Sequence, residues 1–155
     1  MDEIKKHKRI LQSTKNIAMV GLSANPSRPS YFAAIYLLQY GYNIIPVNPR
    51  YDEVLGQECY PSLLDIPEKV DVVDIFRKPE DVVPIVKEAI KIGAEVVWMQ
   101  LGIVNEEAAE MARKAGLEVI MDRCMKIEHA RVLAGGLHLL GITTGIISSR
   151  KREIV

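Results

Sequence analysis

Polar and cationic side chains follow the apolar runs of this sequence, and their types suit the binding of a phosphorylated nucleotide. The apolar run that ends at Val20 is followed by a loop of glycine, serine, asparagine and arginine, which leads into a helical stretch. A glycine at a strand end lets the backbone approach an anion, and a helix N-terminus stabilises negative charge. The loop therefore predicts a phosphate cradle. Its candidate binding residues are Gly21, Ser23, Asn25, Ser27 and Arg28.

The same loop does not match the dinucleotide-binding fingerprint, which needs glycines at three spaced positions. Only Gly21 is present, with Ser23 and Pro26 near the other two positions. An ordinary turn that leads into a helix therefore remains an alternative to the phosphate cradle.

The segment after the second apolar run favours a nucleotide with an extra ribose phosphate. NAD-binding folds place an Asp or Glu at the end of the second strand, whereas NADP requires a neutral or cationic site. Here the run is followed by Asn48, Pro49 and Arg50, and the first carboxylate is Asp52. Arg50 could pair with a ribose phosphate, although a solvated surface arginine has the same sequence pattern. The segment points to NADP or coenzyme A (CoA) as the ligand.

Three further segments complete the candidate site. Arg77 follows the third apolar run, Gln100 and Gly102 follow the fourth, and Cys124 follows the fifth. Ligands of open α/β sheets bind beyond the carboxyl ends of the strands, so these residues are expected at one edge of the sheet.

Cys124 is a candidate reactive thiol. Its neighbours Arg123 and Lys126 are cationic and a helix start is expected after it, and both features favour a thiolate. A buried, inert cysteine remains the alternative, and sequence spacing alone does not establish a catalytic pair with His129. The cysteines and histidines lack the paired spacing of a metal site, so no metal is expected.

Short apolar runs separated by helical stretches predict the elements that position these residues. Each run has the length of a strand and is apolar on both faces, as parallel strands covered on both sides are. Helices are predicted over Tyr31 to Tyr40, Glu80 to Ile92 and Glu106 to Ala115. The predicted fold is therefore α/β: a Rossmann-like, doubly wound, mainly parallel sheet with helices on both faces. The apolar runs are Ile17 to Val20, Ile44 to Val47, Val70 to Ile75, Val96 to Met99 and Val119 to Met121.

Individual residues refine this outline. Ser30 and Asn105 are predicted to cap the first and third of these helices. Pro46 lies inside the second run, where a missing N–H normally interrupts a ladder, so a local irregularity is expected there. The acidic residues Asp71 and Asp74 flank the third run and are predicted to be exposed rather than catalytic.

Composition bounds the function classes. The chain has 155 residues, 48% of them apolar, which is enough for one domain with its own core. Lys and Arg (20) balance Asp and Glu (20), which argues against a nucleic-acid partner. No apolar run is long enough for a membrane span, and two cysteines give no disulfide scaffold, so a cytoplasmic protein is expected. The predicted organisation is a single domain over 1–155, with a basic helical leader at 1–15 and a C-terminal extension at 137–155 whose structure the sequence does not assign.

Six blocks of the sequence, in family order between about Asn16 and Ala134, resemble the small stand-alone CoA-binding domain proteins. That family is similar to the N-terminal CoA-binding domain of the succinyl-CoA synthetase α subunit, which has a Rossmann-like fold. No counterpart of the phosphohistidine of that enzyme is expected in this sequence. The blocks are Val20-Gly21-Leu22-Ser23, Ile45-Pro46-Val47-Asn48-Pro49, Cys59-Tyr60-Pro61-Ser62-Leu63, Val73-Asp74-Ile75-Phe76-Arg77, Trp98-Met99-Gln100-Leu101-Gly102 and Met121-Asp122-Arg123-Cys124.

The resemblance implies a role for each candidate segment. Gly21, Ser23 and the loop from Asn25 to Arg28 would hold the CoA phosphates. The segment 48–50 would lie near the adenosine and its 3′-phosphate with Arg77 beside it, and the segment 100–102 would border the pantetheine arm.

Two function classes remain. The first is a non-catalytic module that binds CoA, or a CoA thioester or disulfide, as a carrier or sensor. The second is an enzyme that depends on NADP or on the CoA thiol and uses Cys124. The sequence favours the first class because it contains no evident acid–base pair. The expected partner is a small-molecule nucleotide, with no nucleic acid and no membrane, and the sequence leaves a homo-oligomer or a partner protein open.

Overall fold

The structure, a computed structural model, describes residues 2–134. These residues form two compact units: Thr14–Arg123, and a smaller unit made of the segments 2–13 and 124–134. The extension predicted at 137–155 lies outside the described residues.

The larger unit is built on a five-stranded parallel sheet, as predicted. In chain order the strands are β1 (Asn16–Val20), β2 (Asn43–Val47), β3 (Glu53–Val54), β4 (Gln57–Glu58), β5 (Val72–Ile75), β6 (Val96–Met99) and β7 (Glu118–Ile120). The sheet order is β2-β1-β5-β6-β7, and each neighbouring pair is parallel. β3 and β4 form a small antiparallel hairpin of their own. Because the chain winds outward in opposite directions from β1 and from β5, these two strands mark the topological switch point.

Helices cover the sheet of the larger unit on both faces, again as predicted. Right-handed crossovers place the helix between β1 and β2 on one face and the helices that follow β5 and β6 on the other. The second pair buries Val86 and Ala109 against a core to which the sheet contributes Val73 and Val97. The helices are α1 (Asp2–Ser13), α2 (Pro29–Gln39), α3 (Val82–Lys91), α4 (Glu106–Lys114) and α5 (Met125–Val132).

The predicted helix caps were correct for one helix and wrong for another. Asn105 caps α4, since its Oδ1 accepts the Ala108 N–H at 2.9 Å. Ser30 does not cap α2, because that helix already begins at Pro29, whose fixed φ suits the first helical position. The Ser30 hydroxyl oxygen instead accepts the Ser23 N–H at 3.1 Å, which ties the preceding loop to the helix.

Pro46 is accommodated because β2 is an edge strand of the sheet. The Tyr60 N–H donates to the Pro46 carbonyl at 3.0 Å, and the Asn48 N–H donates to the Tyr60 carbonyl at 2.9 Å. The N and the C=O of one strand residue point to the same side. The missing N–H of Pro46 therefore faces the outer edge, so pairing with β1 loses no hydrogen bond.

The smaller unit joins the N-terminal helix to the helix that follows the sheet. The His7 Nδ1 and Glu128 Oε1 atoms lie 2.9 Å apart, and both side chains are buried. Arg131 approaches the same carboxylate oxygen at 3.5 Å. Within this unit, a polar contact between residues far apart in sequence thus ties α1 to α5.

Candidate functional site

The segments that follow β1 and β5 pack against each other at the switch point. Gly21 follows β1 with φ +92°, and its N–H donates to the Val47 carbonyl at 2.8 Å. A Cβ atom at Gly21 would lie 2.6 Å from the Phe76 carbonyl oxygen and 2.9 Å from the Arg77 Cδ. Only glycine fits there, and its backbone runs directly beside the stem of an arginine. The structure thus brings together two of the residues predicted to bind phosphate.

The loop after Gly21 is folded by its own hydrogen bonds. The Asn25 N–H donates to the Ser23 Oγ at 3.0 Å, and the Ser27 N–H and hydroxyl donate to the Asn25 Oδ1 at 3.0 and 2.9 Å. The Arg28 N–H donates to the Asn25 carbonyl at 3.0 Å. These donors are therefore already engaged. An anion would be held mainly by the Arg28 side chain, by the Ser23 hydroxyl hydrogen and by the N-terminus of α2.

Asn48 connects the first loop to the second. It is buried, and its Nδ2 donates to the Leu22 carbonyl at 3.1 Å while its Oδ1 accepts the Arg50 N–H at 3.0 Å. The Cys59 thiol donates to the Asn48 carbonyl at 3.4 Å. Asn48 therefore orients this loop from its buried side, while Pro49 and Arg50 are exposed. A direct ligand contact of Asn48 stays a prediction.

The segment after β6 forms a tight turn. The Ile103 N–H donates to the Gln100 carbonyl at 2.8 Å, and Gly102 has φ +85°. Gln100 is buried, whereas Leu101 at the tip is 64% exposed. The Gly102 N–H donates to the Asp122 Oδ1 at 2.7 Å. The sequence did not predict this role of Asp122, although a carboxylate directly after a strand was the available clue.

The two cysteines occupy different environments. Cys59 is buried, and this burial raises the pKa of its thiol. Cys124 is half-buried at the N-cap position of α5 and belongs to the smaller unit. Its predicted role at the site therefore stays a prediction, whereas the other candidate residues all lie in the larger unit.

The prediction that Asp74 is exposed was wrong. Asp74 lies in β5 beside Met19 of β1 and Trp98 of β6, and it is fully buried. Neither of its carboxylate oxygens has a hydrogen-bond partner among residues 2–134, and burial raises its pKa well above the ordinary value of 3.8. Asp71 is only half-buried, and its Oδ2 accepts the N–H groups of residues 15 and 16 at 3.0 and 2.9 Å. The sequence could not distinguish these two aspartates, because both stand among the apolar residues of the same run.

The strand ends of the larger unit thus bring together the Gly21 backbone, hydroxyl groups and exposed arginines near the switch point. This arrangement suits a ligand with several phosphates. The family model of the CoA-binding domain matches residues 15–130. The chain belongs to this CoA-binding domain family. The resemblance noted from the six sequence blocks is therefore confirmed.

Relatives of this CoA-binding domain include both small proteins and large ligases. It is 45% identical over 123 residues to uncharacterized protein YneT of Bacillus subtilis, covering 79% of this chain and 91% of that protein. It is 35% identical over 120 residues to the ADP-forming acetate–CoA ligase II of Archaeoglobus fulgidus, covering 73% of this chain but only 17% of the ligase. Among solved structures, a hypothetical protein from Pyrococcus horikoshii OT3 matches with TM-score 0.82 and 48% identity, covering 84% of this chain and 92% of that one.

Two kinds of feature are absent from residues 2–134 of this CoA-binding domain. No helix there is long and apolar enough to cross a membrane. No group of three or more His, Cys, Asp or Glu side chains in that range is placed to hold a metal ion.

Proposed function

We propose that this CoA-binding domain binds CoA at the carboxyl edge of its sheet and acts as a carrier or sensor without turning over a substrate. The observation that carries the proposal is the exposure of three arginines, Arg28, Arg50 and Arg77, at the strand ends beside the N-terminus of α2. The Gly21 N–H already donates to the Val47 carbonyl, so a diphosphate would be held by the Arg28 side chain, the Ser23 hydroxyl and the N-terminus of α2, with Arg77 beside them. The diphosphate of CoA would lie along the loop from Gly21 to Ser30.

The second loop supports CoA in particular. Arg50 and Arg77 are both exposed, so their guanidinium groups can reach a phosphate in solution. The loop carries no carboxylate before Asp52, so a 3′-phosphate on the ribose would meet cations rather than repulsion. NADP also carries a ribose phosphate, and the family to which the chain belongs favours CoA over it.

The non-catalytic role rests on the side chains at the strand ends. In the described part of the larger unit these are cations, amides, hydroxyls and Asp122, whose Oδ1 already accepts the Gly102 N–H. General acid–base catalysis needs a pair of titratable groups placed on either side of a reacting bond. These residues can bind and orient a ligand but do not form such a pair.

Calorimetry with CoA and dephospho-CoA tests the proposal. CoA is expected to bind about 10- to 100-fold more tightly, because dephospho-CoA lacks the 3′-phosphate and one charge-assisted hydrogen bond contributes about 1.5–3 kcal/mol. Arg50→Gln or Arg77→Gln should reduce this preference, since glutamine keeps the apolar stem and removes the charge.

Arg113→Gln is the matched control for the calorimetry. Arg113 is an exposed arginine in the last turn of α4, so its loss changes the net charge without touching the strand ends. This variant should keep the full preference for CoA. Equal affinities for CoA and dephospho-CoA in the unaltered protein would contradict the cationic site, and tighter binding of NADP than of CoA would favour the NADP-dependent alternative.

The alternative function, chemistry at the Cys124 thiol, is favoured by one observation. Cys124 is half-buried at the N-terminus of α5 between Arg123 and Lys126, surroundings that favour a thiolate. With CoA disulfide as the oxidant, the thiolate would attack one sulfur, form a protein–CoA disulfide and release one CoA thiolate.

Intact-mass measurement after incubation with CoA disulfide tests this thiol exchange. We expect one CoA adduct, lost on reduction, absent in Cys124→Ser and kept in Cys59→Ser. Cys59 is the natural control because its thiol is buried and donates to the Asn48 carbonyl. An adduct that disappears with Cys59, or no adduct at all, would return Cys124 to a structural role.

A further inference from the structure

The turn after β6 is held by a residue that follows the neighbouring strand, β7. Gln100, Leu101, Gly102 and Ile103 form a four-residue turn closed by the bond from the Ile103 N–H to the Gln100 carbonyl at 2.8 Å. The third residue is Gly102 with φ +85°, as a type II turn requires. Type I and type II turns differ in the direction of their central peptide group. In this turn, the central group is the one between Leu101 and Gly102.

Asp122 fixes the direction of that peptide group. Its Oδ1 accepts the Gly102 N–H at 2.7 Å. A trans peptide directs its N–H and its C=O to opposite sides. Because β6 lies between β7 and β5 in the sheet, an N–H directed toward Asp122 leaves the Leu101 carbonyl directed toward the β5 side.

Asp122 is itself locked in an uncommon conformation. Its φ is +60°, a left-handed value that Asp and Asn tolerate better than most other residues with a side chain. The next residue is held on both sides: the Trp98 indole N–H donates to the Arg123 carbonyl at 2.8 Å, and the Arg123 N–H lies 3.4 Å from the Met99 carbonyl. Backbone outliers of this kind persist only where the surroundings determine them, and they cluster at ligand sites.

We infer that Asp122 is a positioning residue for the pantetheine arm: its carboxylate orients the Leu101–Gly102 peptide so that the Leu101 carbonyl accepts an amide N–H of the arm. The inference rests on the proposed binding of CoA at this edge. With the diphosphate at the end of β1 and the ribose phosphate near Arg50 after β2, the sheet order leads the arm away from β2, toward the ends of β5 and β6. The arm carries two amide groups, and a peptide carbonyl at an exposed turn is a suitable acceptor for their N–H donors. Asp122 therefore affects binding of the arm but not of the nucleotide half of CoA.

The test compares CoA with 3′-phospho-ADP, the nucleotide half that lacks the arm. Asp122→Gly deletes the carboxylate but tolerates the left-handed backbone. It should weaken CoA about tenfold, the loss expected for one hydrogen bond, and leave 3′-phospho-ADP unchanged. Asp122→Asn keeps both an oxygen acceptor and the tolerance of this conformation, so it should restore most of the affinity for CoA.

The outcomes separate this inference from the proposed function. If the unaltered protein binds neither CoA nor 3′-phospho-ADP, the proposed function fails. If it binds both, but Asp122→Gly weakens the two ligands equally or weakens neither, only the role of Asp122 is overturned. A thermal melt of each variant confirms that the compared proteins are folded at the temperature of measurement.

Discussion

Replacing Gly21 with alanine is expected to lower the free energy of unfolding by about 2–5 kcal/mol. A left-handed backbone costs about 1–2 kcal/mol for a residue with a Cβ, and forcing an extra carbon into a packed site costs about 1–3 kcal/mol more. The new Cβ would lie 2.6 Å from the Phe76 carbonyl oxygen. That atom belongs to the backbone, so relief requires β1 and β5 to separate at their ends. Urea unfolding followed by circular dichroism measures the loss.

Two other glycines provide matched controls for this substitution. Gly41 and Gly116 have the same φ of +92° as Gly21, and a Cβ on either would meet no atom of the described residues within 4 Å. Alanine at these positions should cost only the backbone part, about 1–2 kcal/mol. The difference between Gly21→Ala and the controls therefore measures the contact at the switch point. Equal losses at all three positions would show that the contact relaxes without cost.

Asp74 is expected to make the free energy of unfolding depend strongly on pH. Its carboxyl is fully buried, no group in the described part of the chain forms a hydrogen bond with it, and burial raises its pKa well above 3.8 in the folded protein. The folded state therefore binds this proton more tightly than the unfolded chain does. The stabilisation is fully present below about pH 4 and is lost as the pH rises toward the folded pKa. Within that window the free energy of unfolding should fall by about 1.4 kcal/mol per pH unit.

Asp74→Asn isolates this effect because asparagine has nearly the same shape and does not titrate. The difference in unfolding free energy between the two proteins, measured from pH 4 to pH 8, cancels the other titrating groups. Asp74→Leu also removes the unpaired polar atoms, so it should be more stable than Asp74→Asn by about 1–3 kcal/mol. A difference between the original protein and Asp74→Asn that does not change with pH would mean that Asp74 keeps its ordinary pKa when folded.

Local patterns were sufficient to predict the sheet and most of its helices. A run such as Val96 to Met99 is apolar on both faces, and that property depends only on residues next to one another. Asn105 could be predicted as a cap for the same reason, since its partner Ala108 lies three residues away. The hairpin of β3 and β4 was missed because each strand has only two residues, too few to show any period.

The sequence predicted which strand ends form the candidate site, but it did not predict which residues there are in contact. The contact of Gly21 with Phe76 joins residues 55 positions apart in the sequence, and no local pattern encodes such a pairing. The burial of Asp74 depends in the same way on its neighbours Met19 and Trp98 in adjacent strands. Sequence reasoning could name the side chains at the edge of the sheet, whereas which of them touch depends on the packing of the strands.

The arrangement around Pro46 also has a consequence for the behaviour of the protein at high concentration. An exposed strand edge with a row of N–H and C=O groups is a template on which a second chain can add a strand and begin to aggregate. On β2, proline removes one donor from that row, and Tyr60 of the same chain occupies the neighbouring carbonyl and N–H. This part of the edge is therefore closed to a foreign strand. The Pro46 ring and the bridge from Tyr60 therefore leave a second chain fewer backbone groups to pair with along β2.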